Sequence, residues 1–183
     1  MRLANVCLIA KYSNDPLLFA ALVAAKDNLK LNFFFLEVIN MLIVNCKKSL
    51  PNARKPMYAT NGAACFDLFA ADVVKTEPNA VVYNTGLQFE IPQGHVMMLY
   101  SRSGHGFKLG MTLANGTGVI DSDYRGDVMV KLVSYTCDLC EFPQVGERIA
   151  QAMILPVPLV GFYMTDKLSP TERGEGGFGS TGA

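Results

Sequence analysis

Short apolar runs separated by proline, glycine and asparagine constrain the fold of this chain more than any other feature of its sequence. Within residues 86–92, Leu87, Phe89 and Ile91 alternate with polar side chains, which is the period of a strand with one buried face. Many short strands with closely spaced turns predict an all-β domain of the jelly-roll, sandwich or barrel type. A short helical turn near residues 103–107 is the one helix that we expect after residue 41. The apolar runs are residues 43–44, 66–70, 81–83, 87–91, 96–100, 128–133 and 149–157.

The chain has 183 residues, enough for one domain with a substantial core. We divide it into an N-terminal extension (residues 1–40), a β domain (41–164) and a C-terminal arm (165–183). The extension contains two apolar runs, and neither approaches the roughly 20 residues that a membrane-spanning helix needs. A helix docked on the domain or on an oligomer, a weak imitation of a signal peptide and a non-native upstream segment remain open interpretations of the extension.

Charge and cysteine content exclude several classes of protein. Sixteen Lys and Arg balance sixteen Asp and Glu, so no basic field favours stable binding of nucleic acid. The five cysteines do not resemble a secreted disulfide framework. We therefore expect a reducing compartment, cytoplasmic or nuclear, and no secretion. Cys137 and Cys140 have a metal-ligand spacing, but without a second pair a turn between two strands is the better interpretation.

Residues 115–127 combine glycines, acids, a tyrosine and an arginine between the apolar runs 108–113 and 128–133. This pattern favours a hairpin whose tip carries chemistry. Asp121 and Asp123 are two positions apart, so in extended chain their side chains share one face. A small polar ligand read partly by the main chain needs such a carboxylate, a flat ring and glycines that permit close approach. A solvated turn is the alternative for this segment alone.

Three further stretches carry polar groups of the same kind. Residues 101–104 place Arg102 between two hydroxyls and ahead of a glycine, a compact receptor for oxyanions. Asp67 is an acid in an otherwise apolar strand, and a bound cation or its waters would offset the cost of burying it. Arg148 is suited to pairing with an acid, and Gln151 can donate to a phosphate.

The C-terminal residues 173–183 place one cation, one ring and two adjacent hydroxyls among glycines. Ordering such a chain costs about 1–2 kcal/mol per residue, so a disordered end is the default interpretation. Arg173 can clamp a phosphate, and Phe178 can stack on a base. Ser180 and Thr181 can cradle phosphate oxygens together with glycine N–H groups. We expect a lid that becomes ordered when a ligand offsets its entropy.

In this order the five stretches resemble the five motifs of the homotrimeric dUTPase family (deoxyuridine 5'-triphosphate nucleotidohydrolase). The resemblance covers about residues 41–183. Cys65 stands where the first motif usually has glycine, and Glu147 stands where aspartate is common. His105 and Phe107 occupy variable positions. The motifs correspond to residues 63–68, 101–108, 115–127, 146–151 and 173–182.

The resemblance implies a jelly-roll-like dUTPase fold with a flexible glycine-rich C-terminal arm. It also implies a homotrimer in which each active site draws motifs from all three chains. The implied reaction is hydrolysis of dUTP to dUMP and pyrophosphate with Mg²⁺ on the triphosphate, which limits uracil in DNA and supplies dUMP for dTMP synthesis.

The resemblance also implies individual roles. Asp121 is the general base that orients water onto the α-phosphorus, and Tyr124 lies against the deoxyribose and excludes a 2′-hydroxyl. Asp67 meets Mg²⁺ through water. The third motif reads the base, the second and fourth hold phosphates, and the fifth closes over the ligand. The implied substrate-binding residues are Arg102, Ser103, Gly104, Asn115, Gly118, Val119, Ile120, Tyr124, Met129, Gln151, Arg173, Phe178, Gly179, Ser180 and Thr181.

Two other functions fit the same pattern less well. A dUTPase-like nucleotide-sensing regulatory protein would use residues 1–40 to dock a protein partner, with catalysis secondary. A dCTP deaminase shares the fold but should lack so complete a fifth motif. A plain structural jelly roll does not explain why the five stretches occur together.

Overall fold

The computed structural model describes residues 41–136, 142–177 and 180. Within these residues the chain forms eleven β-strands and one short α-helix. The prediction of an all-β fold is therefore confirmed, and the predicted helical turn is helix α1 (Ser103–Leu109). No helix in the described part of the chain is long and apolar enough to span a membrane. The predictions for residues 1–40, Cys137, Cys140, Phe178, Gly179 and Thr181 lie outside the described residues.

The strands form three antiparallel sheets. A two-stranded sheet pairs β1 with β6, a four-stranded sheet has the order β4-β5-β10-β8, and a five-stranded sheet has the order β2-β3-β11-β7-β9. The strands are β1 (Asn45–Lys48), β2 (Met57–Tyr58), β3 (Phe66–Phe69), β4 (Asp72–Glu77), β5 (Ala80–Asn84), β6 (Leu87–Glu90), β7 (His95–Tyr100), β8 (Met111–Leu113), β9 (Gly118–Ile120), β10 (Met129–Ser134) and β11 (Arg148–Pro156).

One hydrophobic cluster joins the two larger sheets. Leu68 and Leu99 enter it from the five-stranded sheet, and Tyr83 and Leu132 enter it from the four-stranded sheet. Leu68, Tyr83 and Leu132 are completely buried. Burial of one such side chain is worth about 1.5–3 kcal/mol relative to exposure, so these alternating inward residues stabilise the pairing of the sheets.

The predicted hairpin around residues 115–127 needs a correction. Strands β8 and β10 do pair, with Leu113 opposite Leu132. Residues 108–109, however, belong to helix α1, which ends at Gly110 with a left-handed φ of 58°. The segment between β8 and β10 is not only a hairpin turn. It contains strand β9, which pairs with β7 in the five-stranded sheet. The chain therefore crosses from one sheet to the other at the candidate site.

A glycine makes this crossing possible. Gly118 lies opposite Leu99 across the β9–β7 pair. A Cβ atom on Gly118 would lie 2.9 Å from the Cβ of Leu99, which is closer than real side chains approach. Only glycine lets β9 lie this close to β7 without a shift of the backbone.

Some strands differ from the sequence prediction. The apolar pair 43–44 is not a strand, since β1 begins at Asn45. Strands β2 and β4 do not correspond to any predicted run, and their side chains are mostly exposed. The last strand, β11, ends at Pro156, ahead of the expected domain boundary at residue 164.

Candidate active site

One cavity collects the residues expected to read a base. It has a volume of about 430 Å³, within the range of small-molecule sites. Strand β9 forms one wall and is an edge strand, because it pairs only with β7 within the five-stranded sheet. Among the described strands, its outer N–H and C=O groups therefore have no partner in that sheet and can bind a planar ligand edge. The predicted residues that line this cavity are Asn115, Gly118, Val119, Ile120 and Met129.

A tight turn follows β9 and presents Asp121. The N–H of Tyr124 donates to the carbonyl of Asp121 at 3.2 Å. Nη1 of Arg125 donates to the carbonyls of Ser122 at 2.7 Å and Tyr124 at 2.9 Å. Asp121 itself is exposed, and no ion pair in the described part of the chain engages its carboxylate. The turn thus holds a carboxylate that can accept a hydrogen bond from water.

The ring of Tyr124 packs over the main chain of Gly126. A Cβ atom on Gly126 would stand 2.6 Å from Cζ of Tyr124, so only glycine leaves space for the ring. The Tyr124 hydroxyl donates to the carbonyl of Asp127 at 3.0 Å. Tyr124 is 44% exposed, and its open face is available to a sugar.

Asp127 anchors the end of this turn, a role that sequence reasoning missed. Its carboxylate accepts hydrogen bonds from Asn84 at 2.8 Å and from Gln88 at 2.9 Å. The hydrogen bond from Asn84, with weaker contributions from Ser49 and Gln88, lowers the pKa of Asp127. The available sequence signal was that Gln88 lies on the polar face of β6.

A second cavity, of about 610 Å³, is lined by guanidinium groups. Nε of Arg102 contacts Oδ1 of Asp67 at 3.1 Å, and Nη1 of Arg148 contacts Oδ2 at 3.3 Å. Arg54 donates to the carbonyl of Gly146 at 2.7 Å and lies 4.0 Å from the ring centroid of Phe69. The charged and histidine side chains that line this cationic cavity are Arg54, Asp67, Arg102, His105, Glu147 and Arg148.

The two arginines explain why a strand tolerates Asp67. The sequence suggested a bound cation as partner for this acid, whereas the structure pairs both of its oxygens with guanidinium groups. The described residues contain no group of three or more His, Cys, Asp or Glu side chains that could hold a metal ion. A single carboxylate fits Mg²⁺ that is held mainly by substrate phosphates and water, since Mg²⁺ keeps much of its hydration shell.

Gln151 has a structural contact in addition to its predicted role. Its Nε2 donates to the carbonyl of Ser101 at 2.9 Å, immediately before Arg102. Ser101 is held further by Leu113, whose N–H donates to the Ser101 hydroxyl at 2.9 Å. Ser103 lies with Gly104 in the first turn of α1, where main-chain N–H groups have no acceptor within the helix. This arrangement holds the start of α1 at the cationic cavity.

A model of the dUTPase family matches residues 51–182. The chain belongs to the dUTPase family. It is 44% identical over 138 residues to the deoxyuridine 5'-triphosphate nucleotidohydrolase of Hydrogenobaculum sp., covering 74% of this chain and 95% of that protein. It is 46% identical over 131 residues to the enzyme of the same name from Desulfitobacterium hafniense, covering 69% of this chain and 86% of that protein.

Solved dUTPase structures share the fold. A mutant of the Staphylococcus bacteriophage 80alpha dUTPase with dUpNHpp has a TM-score of 0.69 and 28% sequence identity. That comparison covers 78% of this chain and all of the phage chain. The jelly-roll-like dUTPase fold expected from the sequence is therefore confirmed.

A single copy of this dUTPase-family chain does not gather every expected site residue. Asp121 and Asp123 line a groove beside β7, whereas Arg102 lines the cationic cavity. Arg173 lies in a turn of the C-terminal segment, where its Nε donates to the carbonyl of Gly176 at 2.7 Å. Ser180 is exposed. Among the described residues, the base cavity and the cationic cavity thus have no lining residue in common.

The segment that follows β11 exposes large apolar side chains. Between residues 157 and 168 the side chains are almost fully exposed at five positions. Apolar surface of this kind usually marks a contact with another molecule. The five residues are Leu159, Phe162, Tyr163, Met164 and Leu168.

Proposed function

We propose that this chain is a dUTP diphosphatase that hydrolyses dUTP to dUMP and pyrophosphate as a homotrimer. One observation carries the proposal: the residues expected to read uracil line one cavity, and the exposed carboxylate of Asp121 follows directly after its β9 wall. The names of the bacterial relatives describe the same activity.

The edge strand β9 accounts for selection of uracil. We expect the main-chain N–H and C=O groups of Gly118 and Ile120 to hydrogen-bond the edge of uracil. On the matching edge of cytosine, the positions of a donor and an acceptor are exchanged. Buried groups left without a partner penalise the wrong base by about 10⁴–10⁵ in favourable cases. Val119 and Met129 line the cavity, and we expect their side chains to exclude a 5-methyl group. The ring of Tyr124 leaves no space for a 2′-hydroxyl.

Asp121 performs the proton transfer in the proposed reaction. Its carboxylate orients a water molecule in line with the α-phosphorus and accepts one proton as the water oxygen attacks. The bond between the α-phosphorus and the α,β-bridging oxygen breaks, and pyrophosphate leaves. A positioned general base of this type typically contributes about 10²–10⁴ in rate.

Positive charge around the triphosphate lowers the barrier to this attack. Arg102, with Ser103 and Gly104 at the start of α1, holds phosphate oxygens, and Gln151 supports the main chain beside them. Bound Mg²⁺ would neutralise charge on the triphosphate, and Asp67 would hold its water shell. The arm, residues 165–183, brings Arg173, Phe178, Gly179, Ser180 and Thr181 over the base and γ-phosphate.

Trimer formation would bring these separate surfaces together. The Asp121 groove and the Arg102 cavity have no lining residue in common, and we infer that they face a common substrate from different copies of the chain. The exposed apolar segment of residues 157–168 supplies a surface that another copy can cover. Such an enzyme serves DNA precursor synthesis, and we expect it in the cytoplasm or, if it comes from a eukaryotic host or a virus, in the nucleus.

Pyrophosphate release tests the proposal. Purified protein is incubated with dUTP, dCTP, dTTP or UTP, with Mg²⁺ and with a chelator. We expect rapid release from dUTP with Mg²⁺ and little from the other three nucleotides. Equal release from dUTP and dCTP would contradict the assignment of the base cavity.

A second candidate function is nucleotide sensing with a protein partner. One structural relative favours it, the Staphylococcus bacteriophage 80alpha dUTPase, which is described among the phage dUTPases that control transfer of virulence genes. Deletion of residues 1–40 separates the two functions. An enzyme keeps its pyrophosphate release after the deletion, whereas a sensor that docks through these residues loses its partner.

A further inference from the structure

His105 has a contact in the cationic cavity that the proposed reaction does not use. It lies in helix α1, is only 7% exposed and lines the cavity beside Arg102. Its Nε2 lies 3.3 Å from Nη1 of Arg102. Its Nδ1 is buried and has no hydrogen-bond partner among the described residues.

The chemistry of arginine decides which nitrogen of His105 carries the proton. A guanidinium group can only donate, so Nε2 of His105 must present its lone pair to Arg102. In the neutral ring the proton then lies on Nδ1, where it is buried without an acceptor. Burial, reinforced by the positive charge of Arg102, lowers the pKa of His105 and favours this neutral form.

This arrangement is poor for folding. An unpaired buried N–H group is destabilising, whereas an apolar side chain of similar size would fill the same space without that cost. Packing alone therefore favours leucine over histidine at this position. A residue that makes the folded protein less stable at its position indicates a functional contact there.

The functional contact is with Arg102. Asp67 holds the Nε side of the guanidinium at 3.1 Å, and His105 holds Nη1 at 3.3 Å. Two partners on different edges restrict rotation of the planar group. Among the described residues no hydrogen bond engages Nη2 of Arg102, so this group is free to donate to a ligand in the cavity that Arg102 lines.

We propose that His105 is a positioning residue that orients the guanidinium of Arg102 toward the triphosphate. The proposal rests on the proposed function, because the anion it serves is the phosphate chain of dUTP. His105 acts through Arg102 and does not itself contact the reacting atoms.

Substitution with leucine, glutamine and asparagine tests this role. His105→Leu removes the acceptor, and we expect the KM for dUTP and the Kd for dUpNHpp to rise about tenfold, as for loss of one charge-assisted hydrogen bond. Binding of deoxyuridine, which has no phosphates, should not change. The unfolding temperature should stay equal or rise, because the unpaired N–H is gone.

Glutamine and asparagine separate positioning from packing. Glutamine can place an amide oxygen near the position of Nε2, whereas asparagine reaches only as far as Nδ1. We therefore expect His105→Gln to keep near-wild-type affinity for dUpNHpp and His105→Asn to resemble leucine. If the leucine variant does not fold, the glutamine and asparagine variants still test whether His105 positions Arg102. Phe107→Leu, at an exposed position of the same helix, is the matched control and should change nothing.

If wild type hydrolyses dUTP, two results would overturn the inference. One is unchanged dUpNHpp affinity in His105→Leu while wild type hydrolyses dUTP, which would leave the proposed function intact. The other is an equal loss of deoxyuridine and dUpNHpp binding, which would indicate a general structural defect. If wild type fails to hydrolyse dUTP, the proposed function fails, and binding of inorganic tripolyphosphate to wild type and His105→Leu still decides the role of His105. If neither wild type nor His105→Leu binds tripolyphosphate, both the proposed function and the proposed role of His105 are contradicted.

Discussion

Asp121 is the residue on which the proposed chemistry depends. Its segment, with glycines, acids and a tyrosine, was recognisable from the sequence because those residues are close together in the chain. The contacts that support the segment were not recognisable. Asn84 and Gln88 reach Asp127 from distant strands, and no local pattern encodes such a pairing.

Replacement of Asp121 by asparagine should stop turnover while binding survives. Asparagine keeps the shape but accepts no proton, so we expect kcat to fall by about 10²–10⁴. The Kd for dUpNHpp should change less than about threefold, because the base acts in the transition state rather than in ground-state binding. Asp123→Asn, in the same turn, is the matched control and should retain most activity. Parallel loss of kcat and binding would mean that Asp121 is structural.

His105 gives the folded protein a predictable response to acid. The pKa of His105 is lowered from the ordinary 6.5. Just below pH 6.5 His105 is therefore protonated in the unfolded chain but still neutral in the folded protein. The free energy of unfolding therefore falls as pH drops through this range. Two carboxylates also have a lowered pKa: Asp127, and Glu77, whose pKa falls to about 2 chiefly through a hydrogen bond from Lys131. Their contribution to the free energy of unfolding is lost mainly at pH values below their ordinary pKa values of 3.8 and 4.5.

Thermal unfolding at about pH 7.5 and pH 5.5 checks this linkage. The wild-type unfolding temperature should be lower at the acid pH, and the decrease should be smaller in His105→Leu. An equal decrease in both proteins would show that His105 is not the group responsible.

At the scale of strands and helices, prediction succeeded where burial alternates. In β6 buried and less buried side chains alternate, and the sequence alternates with them. Strand β7 also alternates in burial from Met97 to Tyr100, but its sequence shows only a continuous apolar run. Strands β1 and β4 are exposed along almost their whole length, so they carry no such pattern. The crossing of β9 to the other sheet depends on one close approach, which spacing along the chain does not reveal.

Gly118→Ala tests that close approach. The new Cβ would stand 2.9 Å from the Cβ of Leu99, so β9 must move away from β7. We expect a loss of about 1–3 kcal/mol in the free energy of unfolding, as for overpacking in a core. Weaker binding of dUpNHpp should accompany it, because Gly118 lines the base cavity. Gly62→Ala, where a Cβ meets nothing within 4 Å, is the control. Unchanged stability and binding in Gly118→Ala would show that β9 can shift without cost.

At the scale of the whole molecule, we expect the C-terminal arm to close over each active site of a trimer. Removal of residues 173–183 should abolish dUTP turnover, since the lid over base and γ-phosphate is lost. The apolar segment of residues 157–168 is retained, so light scattering should still detect a trimer. An unchanged rate of dUTP turnover in the truncated protein would show that the arm takes no part in the reaction. A monomeric truncated protein would show that the arm is needed for trimer formation instead.

A mixing experiment tests most directly that each active site is shared between copies. Asp121→Asn and Arg102→Ala, each nearly inactive alone, are unfolded together in equal amounts and refolded. If Asp121 and Arg102 of one site come from different chains, random trimers should regain about a quarter of wild-type pyrophosphate release from dUTP. Release no greater than that of the two variants refolded separately would contradict the shared site.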